Sequence, residues 1–347
     1  MIYKLILNIR NARYKGGRRS VKASVPTVCV GNITAGGTGK TPHIEMLLRE
    51  LGASNRWGSR NVAVLSRGYK RRSKGYRELP FDASAKLFGD EPVQVRRKFT
   101  QTTVAVCKNR IEGCRRLLES GAELILLDDA FQYRKLAADL NIVLVDYSRP
   151  VTRDSLLPWG RLRDLKDRLY EAEVVIVSKC PYALEPEEKT EYARLLGYDS
   201  YDPAACSAVK GDKKQLLLFS GINYEHPEPV FEDADTRYIY SHKLVLFSGI
   251  ADDTPLRNHL SDSYKIVEHQ HFPDHHLYTR ADMRMLRAAL KRNPTAAFVT
   301  TEKDAQRLRD LTKIPAELRV RMFYLPISVN FPEERELQVL TEKLTAL

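Results

Sequence analysis

The sequence predicts an α/β protein with a mostly parallel main sheet and a second, smaller α/β domain. Three observations carry this. A short apolar strand breaks into glycines and a Lys-Thr pair over residues 28–42, an apolar run closes on two aspartates over 124–129, and from Val25 onward short β-branched runs alternate with longer amphipathic segments. That alternation is the order of βαβ units, whose strands lie parallel with helices between them. A chain of 347 residues is long enough for two such domains and for a large core without disulfide or metal staples.

Taken in order, residues 1–22 place Ile2, Leu5, Ile6 and Ile9 at the spacing of one helix face. Seven cations accompany them, Lys4, Arg10, Arg13, Lys15, Arg18, Arg19 and Lys22, and no acid occurs before Glu45. This is a basic amphipathic arm. It suits an anionic membrane surface, and equally an ordinary helix that packs on its own domain with a solvated basic face.

The strand before the glycine-rich turn is predicted over Thr27 to Val30. Thr34, Gly36, Gly37, Thr38 and Gly39 then make a phosphate cradle, because glycines let several backbone N–H groups face one anion and the helix that follows presents its positive end to the same point. Lys40 reaches the β- and γ-phosphates and Thr41 ligates Mg²⁺. Thr34 stands where the strict G-x-x-x-x-G-K-[ST] pattern has glycine. The helix is predicted over 42–51, with a strand over 62–65. After that strand a loop at 66–75 carries Arg67, Lys70, Arg71, Arg72 and Lys74, well suited to anionic substrate groups.

Gly89-Asp90-Glu91-Pro92 fixes two carboxylates in a turn, where Asp90 reads most simply as a helix cap. A strand over 104–107 and a helix over 111–118 follow. The run over 124–127 ends in Asp128 and Asp129, the pattern of a Walker B strand whose carboxylates meet Mg²⁺ beside Thr41. Together these parts specify a P-loop NTPase core. Strands over 142–145 and 174–177 complete it, and a polar helix over 185–196 leads to a predicted boundary after Asp202. The division is thus an arm at 1–22, a phosphate-loop domain at 23–202 and a second α/β domain at 203–347.

In that second domain Leu216–Ile222 echoes Leu244–Ile250, both strands entering glycine turns, with a surface loop predicted over 223–236 between them. Helices over 255–260 and 281–290 alternate with strands over 264–267 and 297–300. His269, His271, His275 and His276 cluster within eight residues. Their spacing lacks the i, i+4 pair of a helical zinc site, and no cysteine or carboxylate cluster lies near in sequence, so a histidine bonded to a carboxylate is the better reading. Thr301-Glu302-Lys303-Asp304 follows a strand directly, as a ligand contact or a capped helix start.

A formal net charge of +12 implies an acidic partner: nucleic acid, an anionic membrane or a phosphorylated substrate. Five cysteines without a C-x-x-C pair argue against zinc ribbons and disulfide frameworks, and a reducing cytosol fits. No apolar run approaches the roughly 18 residues of a spanning helix, and the start lacks a signal-peptide pattern, so the chain is expected not to cross a membrane.

The motifs together resemble the tetraacyldisaccharide 4′-kinase family across the whole chain. The carrying residues are VGNITAGGTGKTP at Val30 to Pro42, SRGYKRR at Ser66 to Arg72, GDEP at Gly89 to Pro92, DDAFQYR at Asp128 to Arg134, LLPWGRLRD at Leu156 to Asp164, FPDHHLYT at Phe272 to Thr279 and TEKD at Thr301 to Asp304. Ala130, Tyr133, Arg161 and Asp164 stand where that family usually has Gly, His, Pro and Glu. The resemblance implies Mg²⁺-dependent transfer of the ATP γ-phosphoryl group to the 4′-hydroxyl of tetraacyldisaccharide 1-phosphate in lipid A biosynthesis. It further implies a peripheral or monotopic enzyme on the cytoplasmic face of the bacterial inner membrane. Asp90 is then the acceptor of the hydroxyl proton, with His275 orienting it, and Arg67, Arg71, Arg72 and Arg163 are substrate contacts. A cleft between the domains would bring Asp274 and His275 towards the phosphate loop. Two other classes share the loop: a nucleic-acid-associated ATPase and a soluble small-molecule kinase. No nucleic-acid reading module is present, so no nucleic acid is expected, and a soluble kinase would leave the arm unexplained.

Overall fold

Parallel strands covered on both faces must be apolar along their whole length, and that is how the centre of the main sheet is built. The computed structural model describes residues 2–14, 19–58, 60–181 and 184–347; Lys15 and Arg18 of the basic arm lie outside them. In chain order the first part comprises α1 (Ile2–Tyr14), β1 (Thr27–Gly31), α2 (Lys40–Ala53), β2 (Val62–Ser66), β3 (Arg77–Glu78), α3 (Ala85–Phe88), α4 (Asp90–Lys98), β4 (Thr103–Val106), α5 (Arg110–Glu119), β5 (Leu124–Asp128), β6 (Leu140–Asp146), β7 (Val174–Ser178), α6 (Pro186–Leu195), β8 (Ser200–Asp202), β9 (Ser207–Lys210) and β10 (Lys213–Phe219). Ten strands make one sheet in the order β3-β4-β2-β5-β1-β6-β7-β10-β9-β8. From β4 to β10 all neighbours are parallel. Every residue of β1, β5 and β7 is buried. One face packs on α5 and α6 through Cys114, Leu117, Tyr192 and Ala193. The other packs on α2 and α4 through Ile44, Leu47 and Val93.

The second part comprises β11 (Gly221–Tyr224), β12 (Glu228–Pro229), β13 (Lys243–Ser248), α7 (Thr254–Ser263), β14 (Lys265–His271), α8 (Arg280–Arg292), β15 (Ala297–Thr301), α9 (Glu302–Arg309), α10 (Ala316–Arg319), β16 (Met322–Leu325), β17 (Ile327–Asn330) and α11 (Glu334–Thr345). Its five-stranded sheet runs β12-β16-β15-β13-β14, parallel except for β12. Leu256 and Leu260 of α7 cover one face, and Met283, Leu286, Ala305 and Leu308 of α8 and α9 cover the other.

Two expectations shift. The predicted boundary after Asp202 falls inside the main sheet, because the β8–β9–β10 meander stays hydrogen-bonded to β7; β10, rather than β7, is its last parallel strand. The predicted surface loop over 223–236 contains the end of β11 and all of β12. The chain leaves the main sheet through β11 and returns through β17, the two pairing as an antiparallel ribbon. It then ends in α11, whose Val339, Leu340 and Leu344 join the core beside α2, while Leu344 carbonyl accepts from Trp57 Nε1 at 3.2 Å.

Candidate active site

The phosphate loop leaves β1 where apolar side chains give way to Asn32. Its buried amide donates to Thr38 Oγ1 at 2.8 Å and so closes the turn upon itself. Gly36 and Gly39 adopt φ of 111° and 81°, the left-handed region that favours glycine, and a Cβ on Gly36 or Gly37 would meet open space, the cradle a phosphate needs. Thr34 needs no glycine: it bridges Leu162 in extended backbone, tying the loop to the 156–164 segment. One turn into α2, His43 bonds Gly39 carbonyl at 2.8 Å and Ser220 Oγ at 3.0 Å. Burial pulls its pKa down to about 4, so it stays neutral and structural.

At the end of β5, Asp128 accepts from Ser66 Oγ at 2.9 Å through Oδ2, while its buried Oδ1 has no hydrogen-bond partner. Burial first, then the carboxylates of Glu91 and Asp129, push its pKa up to about 7 against Lys40 and Ser66. An orphaned anionic oxygen among carboxylates is what a divalent cation satisfies, and Asp128 fits Mg²⁺ in that sense with Thr41 as its neutral partner, whereas Asp129 joins them only by releasing an oxygen from Arg163. Asp129 has a positive φ of 48°. Burial opposes its charge, but Lys40, 3.8 Å away, and Arg163, in direct contact with both its oxygens, hold the carboxyl well below the usual range.

The third feature joins the two sheets. Asp90 opens α4 just after Gly89, at φ 97°, with its Oδ1 accepting only from the adjacent Glu91 amide at 3.0 Å, so it does not cap the helix. Its Oδ2 meets His275 Nδ1 at 3.2 Å and Arg307 Nε at 3.0 Å, both from the second part of the chain. Burial opposes ionisation, yet the His275 hydrogen bond and the Arg307 and Lys303 charges hold this carboxyl far below the usual range. Arg307 is itself fixed by Asp304 at 2.8 Å and Gly249 carbonyl at 3.0 Å. His275 also has positive φ, 61°, and its amide donates to the same carbonyl at 3.0 Å. Lys303 pairs with Glu91 beside it.

An open cavity of about 200 Å³ at this point is lined by Tyr69, Lys70, Arg72, Asp90, His275 and Leu277 among others. Of the predicted substrate contacts, only Arg72 is there. Arg71 folds back on Ser73 and the Gly75 carbonyl, Arg67 is exposed on the loop, and Arg163 is committed to Asp129 and Asn32 at the phosphate loop. Asp274 is exposed, 3.8 Å from His275 Nε2. His276 turns away to Asp282, at 2.9 Å, and stacks on Phe272. Sequence reasoning missed Arg307, which reads there as one more helix cation. A larger cavity of about 310 Å³ by Tyr14, Phe131 and Tyr133 holds none of the predicted site residues.

Two of the four residues that depart from the family pattern have structural work. Asp164 is fully buried and accepts from Arg10 at 2.7 Å and Asn11 at 3.1 Å, fastening α1. Tyr133 donates to Asn109, the residue that caps α5.

The family model for tetraacyldisaccharide-1-P 4′-kinase matches residues 1–345. A tetraacyldisaccharide 4′-kinase of Parabacteroides distasonis is 39% identical over 331 residues, covering 92% of this chain and 85% of its own. One of Porphyromonas gingivalis is 36% identical, covering 96% and 92%. The crystal structure of Aquifex aeolicus LpxK in complex with ATP superposes with a TM-score of 0.71 at 25% identity, over 99% of this chain and 96% of that one.

Proposed function

The chain belongs to the tetraacyldisaccharide 4′-kinase family, and from that premise we propose which residues perform the transfer and where the protein works. The enzyme phosphorylates its lipid disaccharide from ATP with Mg²⁺, a step of lipid A biosynthesis. The observation that carries the assignment of roles is the meeting of Asp90 with His275 and Arg307 across the two sheets. The acceptor hydroxyl enters the cavity beside Asp90, whose carboxylate orients it and takes its proton as the bond to phosphorus forms. His275 holds that carboxylate in place. The loop N–H groups and Lys40 bind the phosphates of ATP. When bound at Thr41, Asp128 and Asp129, Mg²⁺ offsets charge on the phosphate oxygens. Because charge stabilisation is most of the catalysis here, Lys40→Ala should abolish transfer of labelled phosphate from ATP to a tetraacyldisaccharide 1-phosphate. Undiminished turnover would end this assignment.

The same proposal puts the protein on an anionic membrane, at the cytoplasmic face of the bacterial inner membrane. No described helix is long and apolar enough to cross one. α1 supports a peripheral position by its two-sided packing: Arg10, Asn11 and the Tyr3 hydroxyl hold it to the protein, and Leu7 is buried. Ile2, Leu5, Ile6 and Ile9 face solvent, at 77%, 59%, 55% and 53% exposure. A helix anchored through Arg10, Asn11 and Tyr3, with four apolar side chains outward beside the exposed Lys4 and Arg13, is suited to an acyl-chain boundary, where each nearby cation adds on the order of 1 kcal/mol on an anionic surface. Leu5→Glu with Ile6→Glu should release the protein from phosphatidylglycerol vesicles in a flotation assay while leaving the melting temperature in place. Equal binding of both forms to anionic and neutral vesicles would refute the docking.

A further inference from the structure

His269 and His271 alternate along β14, the edge strand of the second sheet, so both imidazoles emerge on one side of it. Ser248, at the end of the neighbouring β13, is in register with His271, and the chain beyond it turns back over that edge. The turn delivers Asp253, nearly buried, to both rings. One carboxylate oxygen, Oδ2, lies 2.8 Å from His269 Nε2 and 3.2 Å from His271 Nδ1, and Ser248 Oγ donates to the same oxygen. Three potential ligand atoms therefore stand within 4.8 Å of one another. Sixteen residues separate Asp253 from His269, which is why the sequence alone argues against a metal here.

We propose that Asp253, His269 and His271 form a binding site for a borderline-soft divalent cation of the Zn²⁺ class, separate from the Mg²⁺ site of the kinase. Two imidazoles and a carboxylate are the donor set of an open zinc site, with water in the fourth position. Zn–N and Zn–O bonds of about 2.0–2.2 Å put tetrahedral donors roughly 3.3–3.5 Å apart, so each ring needs to draw back from the Asp253 oxygen by only a few tenths of an ångström. Each neutral ring must carry its proton on the far nitrogen, Nδ1 of His269 and Nε2 of His271; a ring that was protonated releases one proton. Ser248 orients the carboxylate by donating to that same oxygen, as outer-shell donors do. His271 is half exposed, which gives the ion an entry path. The bound ion clamps the loop after β13 to β14, and that loop begins at Gly249, whose carbonyl accepts from Arg307 and from the His275 amide.

The test uses the tag-free full chain in excess Mg²⁺, with Co²⁺ as spectroscopic probe and Zn²⁺ as competitor. One equivalent of Co²⁺ should give the intense visible bands of a tetrahedral ion, displaced by Zn²⁺, and Zn²⁺ should raise the melting temperature. His269→Ala with His271→Ala should lose both responses, and Asp253→Asn should weaken binding on the order of tenfold or more. Should the double variant fold poorly, His271→Gln on the half-exposed ring must lose the bands with its circular dichroism unchanged. Asp128→Asn and His276→Ala should keep them. Absence of tetrahedral bands in the unmutated protein, or their survival in the histidine variants, would overturn the site.

Discussion

Asp90 sits between a guanidinium and an imidazole, and that company limits it as a base. A carboxylate held so far below its usual range has little affinity for a proton at the start of the reaction. Phosphoryl transfer tolerates this, because its loose transition state leaves the hydroxyl proton in place until late; the larger contribution is orientation. Asp90→Asn keeps the shape and removes the acceptor charge, and should lower kcat by about 10²–10⁴-fold. His275→Ala should lower it too, and the double variant should be little worse than the worse single one if the pair acts as a unit. His276→Ala, with its ring on Asp282, is the control that leaves kcat near the original value. Arg307→Gln tests positioning separately: with the cation gone the Asp90 pKa rises, so the acid limb of the pH–rate profile should move to higher pH. A fall in rate with an unmoved limb would make Arg307 merely structural. The Asp90–His275 contact was legible only through the family resemblance of the two motifs, since the residues alone read Asp90 as a helix cap. Arg307 was not, since nothing in a helix sequence says which cation will meet the end of another helix 217 residues away.

At the scale of elements, α2, α4 and α9 share one polar knot. Lys98 of α4 bonds Glu45 of α2 at 2.8 Å and Glu302 of α9 at 2.7 Å, while Gln94 donates to both carboxylates. Burial, then the neighbouring Glu45, push Glu302 up to about 7, despite Lys98. A carboxyl whose folded pKa is raised binds its proton more tightly when folded. Its cost is therefore fully present above about pH 7 and is relieved as pH falls towards the unfolded value near 4.5. Glu302→Gln should raise the melting temperature at pH 8, by about 2–4 °C for each kcal/mol relieved, and the gain should vanish near pH 5. An equal shift at both pH values would mean that packing, and not charge, is responsible. Buried strands such as β1, β5 and β7 were read from sequence within a residue or two, because their apolar runs have no other use. β12 and α11 escaped, the first for its two-residue length and proline, the second because Glu333, Glu334, Glu336 and Glu342 hide its apolar stripe.

The whole molecule is a discontinuous assembly. Both sheets were legible as α/β alternation, but the return through β17 was not, since a four-residue strand announces no partner. The wall of the main core beside α2 is closed by α11, which also brings Glu336 to Lys189 at 3.3 Å. Leu340 is fully buried there, so Leu340→Ala should cost about 2–5 kcal/mol in urea unfolding, felt in ATP affinity although the residue is far along the chain from the phosphate loop. Unfolding that leaves nucleotide binding untouched until the second sheet has melted would contradict this. The ribbon also sets an order of events during synthesis. The phosphate loop is translated before the second sheet, whereas the helix that completes its core follows all of that sheet. Nascent chains stalled before α11 should hold an unfinished nucleotide domain, open along the α2 side. The wall beside the phosphate-loop helix is thus closed only when the sheet carrying His275 and Arg307 has already been translated.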